Sequence, residues 1–241
     1  MTETSPASFM TFTDDPLEKR LMTVGRILPH MKAKIIDMSG NIVPLGFTGE
    51  LCVSGFALQK GYWRNSKKTA EVMITDGDGT QWMHTGDEAK FDDQGYCRIT
   101  GRIKDIIIRG TIAPIISSTL NYLANFVPVL GGENIYPLEI EECLMQHSTI
   151  VQASVIGLPD EKYGELVCTF LKPRASHPRP SLKEIRELVR EKLGWHKAPM
   201  HVFWLNEGEE FPKTGSGKVQ KHILKAQAKN LLKDGTIVAK L

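Results

Sequence analysis

The sequence predicts a mixed α+β chain, in which a β-rich first part precedes a small α/β domain. Short runs of alternating apolar and polar residues, separated by Gly- and Asn-containing turns, fill roughly the first hundred residues. After residue 137, apolar helical stripes alternate with short apolar strands. The pattern changes beyond residues 101–104, so we place two domains at 1–103 and 104–241. A length of 241 residues accommodates one or two domains.

The first part is predicted to consist mainly of strands. The Ser-, Thr- and Asp-rich residues 1–20 are expected to form a loop, and residues 65–74 a short helix. Residues 92–95 (Asp-Asp-Gln-Gly) have the composition of a hairpin turn. The predicted strands are residues 32–37, 49–55, 81–85, 89–91 and 96–100.

The second part is predicted to alternate helices with strands. Pro137 suits the first turn of a helix that we expect to reach residue 147. Ser181 and Glu184 form a capping box, in which each side chain satisfies the other residue's backbone N–H, and an apolar stripe follows. A basic amphipathic helix is expected over residues 218–233. The predicted strands are residues 151–156, 166–171 and 201–205, with a turn at residues 157–160.

Composition excludes several classes of protein. Hydrophobic residues make up 41% and charged residues 24%, a globular balance that excludes a disordered chain. The net charge of +2 is too small to imply a nucleic-acid partner. From Lys213 to the end there are seven Lys and one acid, Asp234, which we interpret mainly as a solvated helix face. The four Cys are far apart without a Cys-x-x-Cys, which favours a reducing compartment and argues against a thiolate zinc site.

One segment, residues 111–130, carries no charge over twenty residues. Its length alone fits a transmembrane helix. Pro114, Pro128, two Asn and four Ser/Thr argue against one, so a membrane span is not favoured.

A Thr85-Gly86-Asp87 motif is predicted at the end of a strand. Glycine lets the backbone approach a ligand closely, and an exposed carboxylate can accept two hydrogen bonds from a vicinal diol such as ribose. The motif therefore suggests a nucleotide, although any turn can contain these three residues.

A Gly-rich loop near the C-terminus, residues 212–218, presents Lys218. Such a loop suits binding of a phosphate or carboxylate anion. It is not a Walker A loop, because Pro212 stands where that motif has Gly and Val219 where it has Ser or Thr. A solvated loop is the alternative.

The order of these motifs, with Gly-Arg-x-Lys-Asp at residues 101–105 between them, resembles the adenylate-forming enzymes. Residues 1–6 resemble the end of that family's Tyr-Gly-x-Thr-Glu motif. Residues 49–51, residues 61–63 and the run 106–110 continued at 132–137 resemble medium-chain-type acyl-CoA synthetases in particular. The resemblance covers nearly the whole chain, apart from residues 111–131 and the last few.

This resemblance implies a two-step ligase. A carboxylic acid and ATP would give an acyl-adenylate and diphosphate, and the thiol of coenzyme A would then displace AMP. Residues 1–103 would be the last part of a large AMP-binding domain, and residues 104–241 a mobile C-terminal domain that turns on a hinge at Lys104. ATP or AMP, Mg²⁺ and coenzyme A are the implied ligands. No feature of the sequence indicates an oligomeric state.

The resemblance also assigns residues to roles. Asp87 would bind the ribose hydroxyls with support from Arg102, Thr2 would contact the α-phosphate, and Glu3 would help hold Mg²⁺. Lys218 would be the catalytic residue, placed between the substrate carboxylate and the α-phosphate.

A CoA-side loop would contain Gly132, Glu133 and Asn134. Here residues 111–131 separate Arg109-Gly110 from that loop, whereas the family runs Arg-Gly-Gly-Glu-Asn without interruption. We expect the insertion to obstruct the loop, and we hypothesise that it is an unspliced intron.

The chain begins inside the Thr-Glu motif, so the phosphate loop and acyl pocket of the family are absent. We hypothesise that Met1 is an internal Met, and we expect the fragment alone to be inactive. Two other interpretations remain open: an adenylating enzyme that loads a carrier protein, and a non-catalytic module that binds a nucleotide or a partner. The final Ala239-Lys240-Leu241 resembles a peroxisomal address, with cytoplasm or mitochondrion as alternatives.

Overall fold

A computed structural model describes residues 1–110, 133–206 and 208–233. The described residues form two compact units that divide between Lys104 and Asp105. Both units combine sheets with a few helices, which confirms the predicted mixed fold class.

The first unit contains seven strands and two α-helices within its described residues. Their bounds are β1 Phe9–Met10, α1 Leu17–Met22, β2 Arg26–Ile27, β3 Met31–Ile36, β4 Gly49–Gly55, α2 Ser66–Val72, β5 Met73–Thr75, β6 Gln81–Phe91 and β7 Cys97–Arg102, with a 3-10 helix at Thr2–Thr4.

An antiparallel sheet forms the centre of this unit. Strand β4 lies between β3 and β6, while β5 and β7 both pair with β6. The sheet buries an apolar cluster: Ile35, Leu51, Val53, Met73, Met83, Ala89 and Cys97. Burial of this apolar area is the main force that stabilises the unit.

Two predictions for this unit are wrong, and one helix is confirmed with a shorter extent. Residues 81–85 and 89–91 belong to one continuous strand, β6. The helix predicted over 65–74 is α2, which ends at Val72, and β5 begins at Met73. Residues 1–20 hold short elements instead of a loop. The buried carboxylate of Asp15 organises that segment, since it accepts hydrogen bonds from the Phe12 amide (2.7 Å) and the Tyr96 hydroxyl (2.6 Å).

The second unit is an α/β domain. Its described elements are β8 Ile107–Arg109, β9 Glu133–Ile135, α3 Pro137–Met145, β10 Ile150–Asp160, β11 Gly164–Pro173, α4 Leu182–Leu193, β12 His201–Trp204 and α5 Lys221–Lys233, with a 3-10 helix at Trp195–Lys197. The strand order is β10-β11-β8-β9, and β12 runs parallel to β11.

Two apolar clusters build the core of the second unit. Residues of α3 and α4, among them Ile140 and Ile185, pack in the first cluster with Val155 of β10. Leu224 of α5 packs in the second with Phe203 of β12. The capping box at α4 is confirmed: Ser181 Oγ accepts from the Glu184 amide, and Glu184 Oε2 from the Ser181 amide.

Two boundaries in this unit correct the predictions. The predicted turn at residues 157–160 belongs to β10, which pairs with β11 as far as Asp160. Pro159 is tolerated because β10 lies at the edge of the described sheet, where a strand does not need every N–H. The last helix begins at Lys221 rather than at Lys218.

Among the described residues, no helix is both long enough and apolar enough to span a bilayer. The uncharged segment 111–130 is outside the described residues, as are Gly132 and the tripeptide 239–241.

Candidate functional site

The first unit brings Asp87 and Arg102 together. They occupy directly paired positions on β6 and β7, and Arg102 Nε lies 2.7 Å from Asp87 Oδ1. Arg102 also donates from Nη1 to the Thr85 carbonyl at 3.2 Å. The Asp87 side chain is 20% exposed. A carboxylate therefore stands at the surface with a guanidinium oriented beside it.

A bulge in β6 carries the Thr85-Gly86-Asp87 motif. On β4, Glu50 pairs with Glu88 and Cys52 with His84, so residues 85–87 stand opposite Leu51 alone. Gly86 has a φ of 68°, in the left-handed region that favours glycine. The sequence suggested that this motif lies at the end of a strand, whereas it lies inside one. The strand continues to Phe91 because β7 pairs with it from Asp87 onward.

The Thr85 hydroxyl closes this bulge from within. It donates to the Leu51 carbonyl at 2.7 Å and accepts from the Asp87 amide at 3.1 Å. The side chain is buried. One hydroxyl therefore links the backbone of β4 to the residue that presents the carboxylate.

Sequence reasoning missed a second carboxylate at the same bulge. Glu50 Oε2 lies 2.9 Å from His84 Nδ1, and Glu50 Oε1 accepts from the Gly86 amide at 3.1 Å. The Gly49-Glu50-Leu51 run resembles a family motif, but nothing in the run itself indicates this role. The partners of Glu50 are distant in sequence, so no local pattern connects them.

Thr2 and Glu3 lie on the 3-10 helix at the start of the chain. The Glu3 carboxylate accepts a hydrogen bond from the Tyr62 hydroxyl at 3.1 Å, and its carbonyl accepts one from the Gln59 amide. Burial is the main cause that raises the pKa of Tyr62, and the hydrogen bond to the Glu3 carboxylate raises it further. A half-buried carboxylate of this kind suits Mg²⁺, which is commonly held by one or two carboxylates together with substrate phosphates.

Lys218 lies in a tight loop that the second unit presents to solvent. Lys213 and Val219 form a β-bridge, the Thr214 amide donates to the Lys218 carbonyl at 2.8 Å, and Gly217 adopts a φ of 82°. The Lys218 amide donates to Thr214 Oγ1 at 3.2 Å. The Lys218 residue is exposed.

The stem of this loop is anchored in the domain. Lys221, the first residue of α5, places Nζ 2.7 Å from Glu141 Oε1 on α3. The same oxygen accepts from the Val155 amide on β10 at 2.8 Å. Phe211, on the other side of the loop, is buried.

Glu133 and Asn134 lie on β9, and both residues are exposed. Glu133 pairs across the sheet with Arg109, and its Oε1 is 2.8 Å from His196 Nε2. The Arg109 guanidinium donates to the His196 carbonyl and lies over the rings of Tyr163 and Trp195. Burial lowers the pKa of Arg109. The sequence did not predict this aromatic arrangement.

Lys104 is the last residue of the first unit. It lies in the short 3-10 helix Ile103–Asp105 and is exposed. The division between the two units therefore falls directly after the residue that the sequence predicts as a hinge.

Two stretches of the chain match models of known protein families. Residues 1–63 match the model of the AMP-binding enzymes, and residues 139–218 match that of the AMP-binding enzyme C-terminal domain. The chain therefore belongs to the AMP-binding, adenylate-forming enzymes.

Curated relatives are acyl-CoA ligases. The chain is 52% identical over 246 aligned residues to the acyl-CoA ligase sidI of Beauveria bassiana, covering 100% of this chain and 39% of the relative. It is 36% identical to the mitochondrial medium-chain acyl-CoA ligase ACSF2 of Rattus norvegicus, covering 96% of this chain and 33% of the relative. The chain thus spans well under half the length of these relatives.

A solved structure agrees with the fold. The o-succinylbenzoate CoA synthetase MenE of Bacillus subtilis, in complex with its acyl-adenylate intermediate, superposes with a TM-score of 0.74 at 26% identity. The match covers 93% of this chain and 40% of that one.

Proposed function

We propose that this chain is part of an AMP-forming acyl-CoA ligase and supplies its ribose-binding strands and its catalytic lysine loop. The observation that carries the proposal is the pairing of Asp87 with Arg102 across β6 and β7. These residues are fifteen positions apart in the sequence, and the resemblance to adenylate-forming enzymes assigns both to the same ribose. The relatedness to acyl-CoA ligases supports the same activity.

The first half-reaction would activate the acid. A carboxylate oxygen attacks the α-phosphorus of ATP, the bond to the β-phosphate breaks, and diphosphate leaves. Glu3 would help to hold a Mg²⁺ ion, which would supply positive charge to the phosphates. Lys218 would lie between the carboxylate and the α-phosphate, where its ammonium offsets the negative charge that gathers in the transition state. Thr2 would donate to an α-phosphate oxygen, and Asp87 would accept from the ribose hydroxyls.

The second half-reaction would transfer the acyl group. The sulfur of coenzyme A attacks the acyl carbonyl, the bond from that carbon to the AMP oxygen breaks, and the thiol proton is released. Gly132, Glu133 and Asn134 would lie beside the thiol path after the second domain turns at Lys104. The exposure of Glu133 and Asn134 on β9 supports access from solvent.

We further propose a medium-chain-type fatty acid as the substrate. The 36% identity to the rat medium-chain ligase supports it. For the compartment, the name of that relative favours the mitochondrion, whereas residues 239–241 resemble a peroxisomal address. Imaging of the endogenous protein with an antibody, against mitochondrial and peroxisomal markers, decides between the two.

The decisive experiment captures the native protein from its source cells with an antibody against the second unit. We expect it to release AMP from ATP when given coenzyme A and a medium-chain acid, and to have a mass well above 26.9 kDa. If the native protein instead has a mass of 26.9 kDa, binds AMP and forms no acyl-CoA, it is a non-catalytic module.

A chimera tests the insertion. The acyl-CoA ligase sidI of Beauveria bassiana would carry this chain in place of its matching segment, with and without residues 111–131. We expect both chimeras to form the acyl-adenylate, and only the chimera without the insertion to transfer it to coenzyme A at a normal rate. Equal rates of acyl transfer in the two chimeras would contradict the expectation that the insertion obstructs the CoA-side loop.

A further inference from the structure

The Glu50 carboxylate contacts the β6 bulge on both sides of Thr85. Its Oε2 lies 2.9 Å from His84 Nδ1, and its Oε1 accepts from the Gly86 amide at 3.1 Å. We propose that Glu50 is a positioning residue, which holds the bulge in the shape that presents Asp87 to a ribose. This inference rests on the proposed function, because it assumes that Asp87 binds a nucleotide.

The bulge needs such a partner because its backbone leaves the strand ladders. Strand β5 pairs with residues 81–83 and β7 with residues 87–91. Among the described strands, neither Thr85 nor Gly86 has a partner residue in either ladder. A backbone N–H without a partner in a partly buried place is costly. The Glu50 carboxylate removes that cost for Gly86.

Fixing Gly86 fixes Asp87, because the neighbouring contacts leave the bulge little freedom. The Thr85 hydroxyl bonds both the Leu51 carbonyl and the Asp87 amide. Arg102 bonds both the Thr85 carbonyl and the Asp87 carboxylate. Gly86 has no side chain of its own, and the bond from its amide to Glu50 adds a further fixed point to the bulge.

The same neighbourhood contains a group that resembles a metal site. Glu50, Cys52 and His84 place their possible ligand atoms within 4.8 Å of one another. Both Glu50 oxygens already have partners, His84 Nδ1 and the Gly86 amide, and Cys52 is buried. The geometry therefore favours a brace over a metal centre.

The substitution Glu50→Gln separates these roles in the full 241-residue chain. A glutamine has one acceptor oxygen, so it cannot hold His84 and Gly86 in the same way. Titration calorimetry would compare AMP with 2′,3′-dideoxy-AMP, which lacks the ribose hydroxyls. We expect the wild-type chain to prefer AMP by about tenfold and Glu50→Gln to lose most of that preference. Glu71→Gln, on the exposed helix α2, should retain it.

A merely structural role predicts a different result. General loosening of the unit would weaken both nucleotides by the same factor and leave the preference for AMP unchanged, which would overturn the proposal. Zn²⁺ binding in one-to-one ratio that disappears in Glu50→Gln would also overturn it.

A failure of the proposed function gives a distinct outcome, in which the wild-type chain binds neither nucleotide. Hydrogen exchange of the Gly86 amide then tests the brace directly. We expect exchange at least about tenfold faster in Glu50→Gln than in Glu71→Gln. Equal exchange rates would overturn the role of Glu50.

Discussion

Arg102 Nε lies 2.7 Å from Asp87 Oδ1, and the two residues face each other in the β6–β7 ladder. The pairing follows from the antiparallel register, so the two side chains meet on the same face of the sheet. The ion pair is partly exposed and adds little stability, because such pairs contribute about 0–1 kcal/mol. Its consequence is orientation, because the guanidinium holds Oδ1 of the Asp87 carboxylate in one position.

Asp87→Asn should weaken AMP binding by about tenfold or more. The amide keeps the shape of the side chain but loses the charge and one acceptor for the ribose hydroxyls. Calorimetric titration measures the change, and melting curves should remain close to those of the wild type. Asp93→Asn, in the exposed turn between β6 and β7, is the matched control. Equal AMP affinity in the two variants would contradict the assignment of Asp87.

Lys218→Ala should abolish adenylation while transfer from a supplied acyl-adenylate continues. The expected loss in the first half-reaction is about 10²–10³-fold, since an ammonium would no longer offset the charge of the transition state. The sidI chimera without residues 111–131 supports both assays. Lys183→Ala, on a side chain that is 83% exposed, should leave both half-reactions unchanged. Similar losses in both half-reactions would count against Lys218 as the adenylation catalyst.

Lys104→Pro should slow acyl transfer far more than adenylation. Proline fixes its own φ and restricts the residue before it, so it opposes a rotation at this position. The two half-reactions of the same chimera, measured separately, provide the comparison. Lys104→Ala keeps the backbone free and serves as the control. If proline leaves acyl transfer at the alanine rate, the hinge lies elsewhere.

The buried thiols should make the protein less stable at high pH. Burial raises the pKa of Cys97 and Cys168 to about 12 from an ordinary value of 9.0. Between pH 9 and pH 12 the unfolded chain therefore binds fewer protons than the folded one, and the free energy of unfolding falls as pH rises. Urea titrations at about pH 8 and about pH 10 measure this fall, which should be smaller in Cys168→Ala. An identical fall in that variant would show that other groups cause it.

Leu144→Ala should lower the free energy of unfolding of the second unit by about 2–5 kcal/mol, because it leaves a cavity in the core. Leu144 is 0% exposed, whereas its neighbour Met145 on α3 is 43% exposed. Met145→Ala should therefore change stability by less than about 0.5 kcal/mol. Urea unfolding followed by circular dichroism distinguishes the two. A small effect of Leu144→Ala would mean that the core around α3 repacks.

The elements that the sequence predicts well are those with local signals. The capping box of Ser181 and Glu184 lies within four residues, and the apolar stripe that follows repeats with the period of a helix. The run at residues 49–55 is a short apolar stretch bounded by glycines, and β4 has the predicted bounds. No distant partner is needed to recognise either pattern.

The features that sequence patterns miss depend on partners far along the chain. Pro159 indicates a turn, yet β10 continues because β11 pairs with it. Gly86 indicates the end of a strand, yet β6 continues because β7 pairs with it from the next residue onward. Glu50 meets His84 across 34 positions, and that distance hides the contact from any local pattern.

The ion pair between Lys221 and Glu141 joins the stem of the Lys218 loop to a helix eighty positions earlier. A stem fixed in this way separates two properties that are usually linked: where a loop emerges, and what its tip carries. Residues 214–217 could be exchanged, and the polypeptide would still leave and re-enter the domain at the same points. Substitutions at the loop tip, in evolution or in the laboratory, would therefore change its chemistry and leave the fold of the domain unchanged.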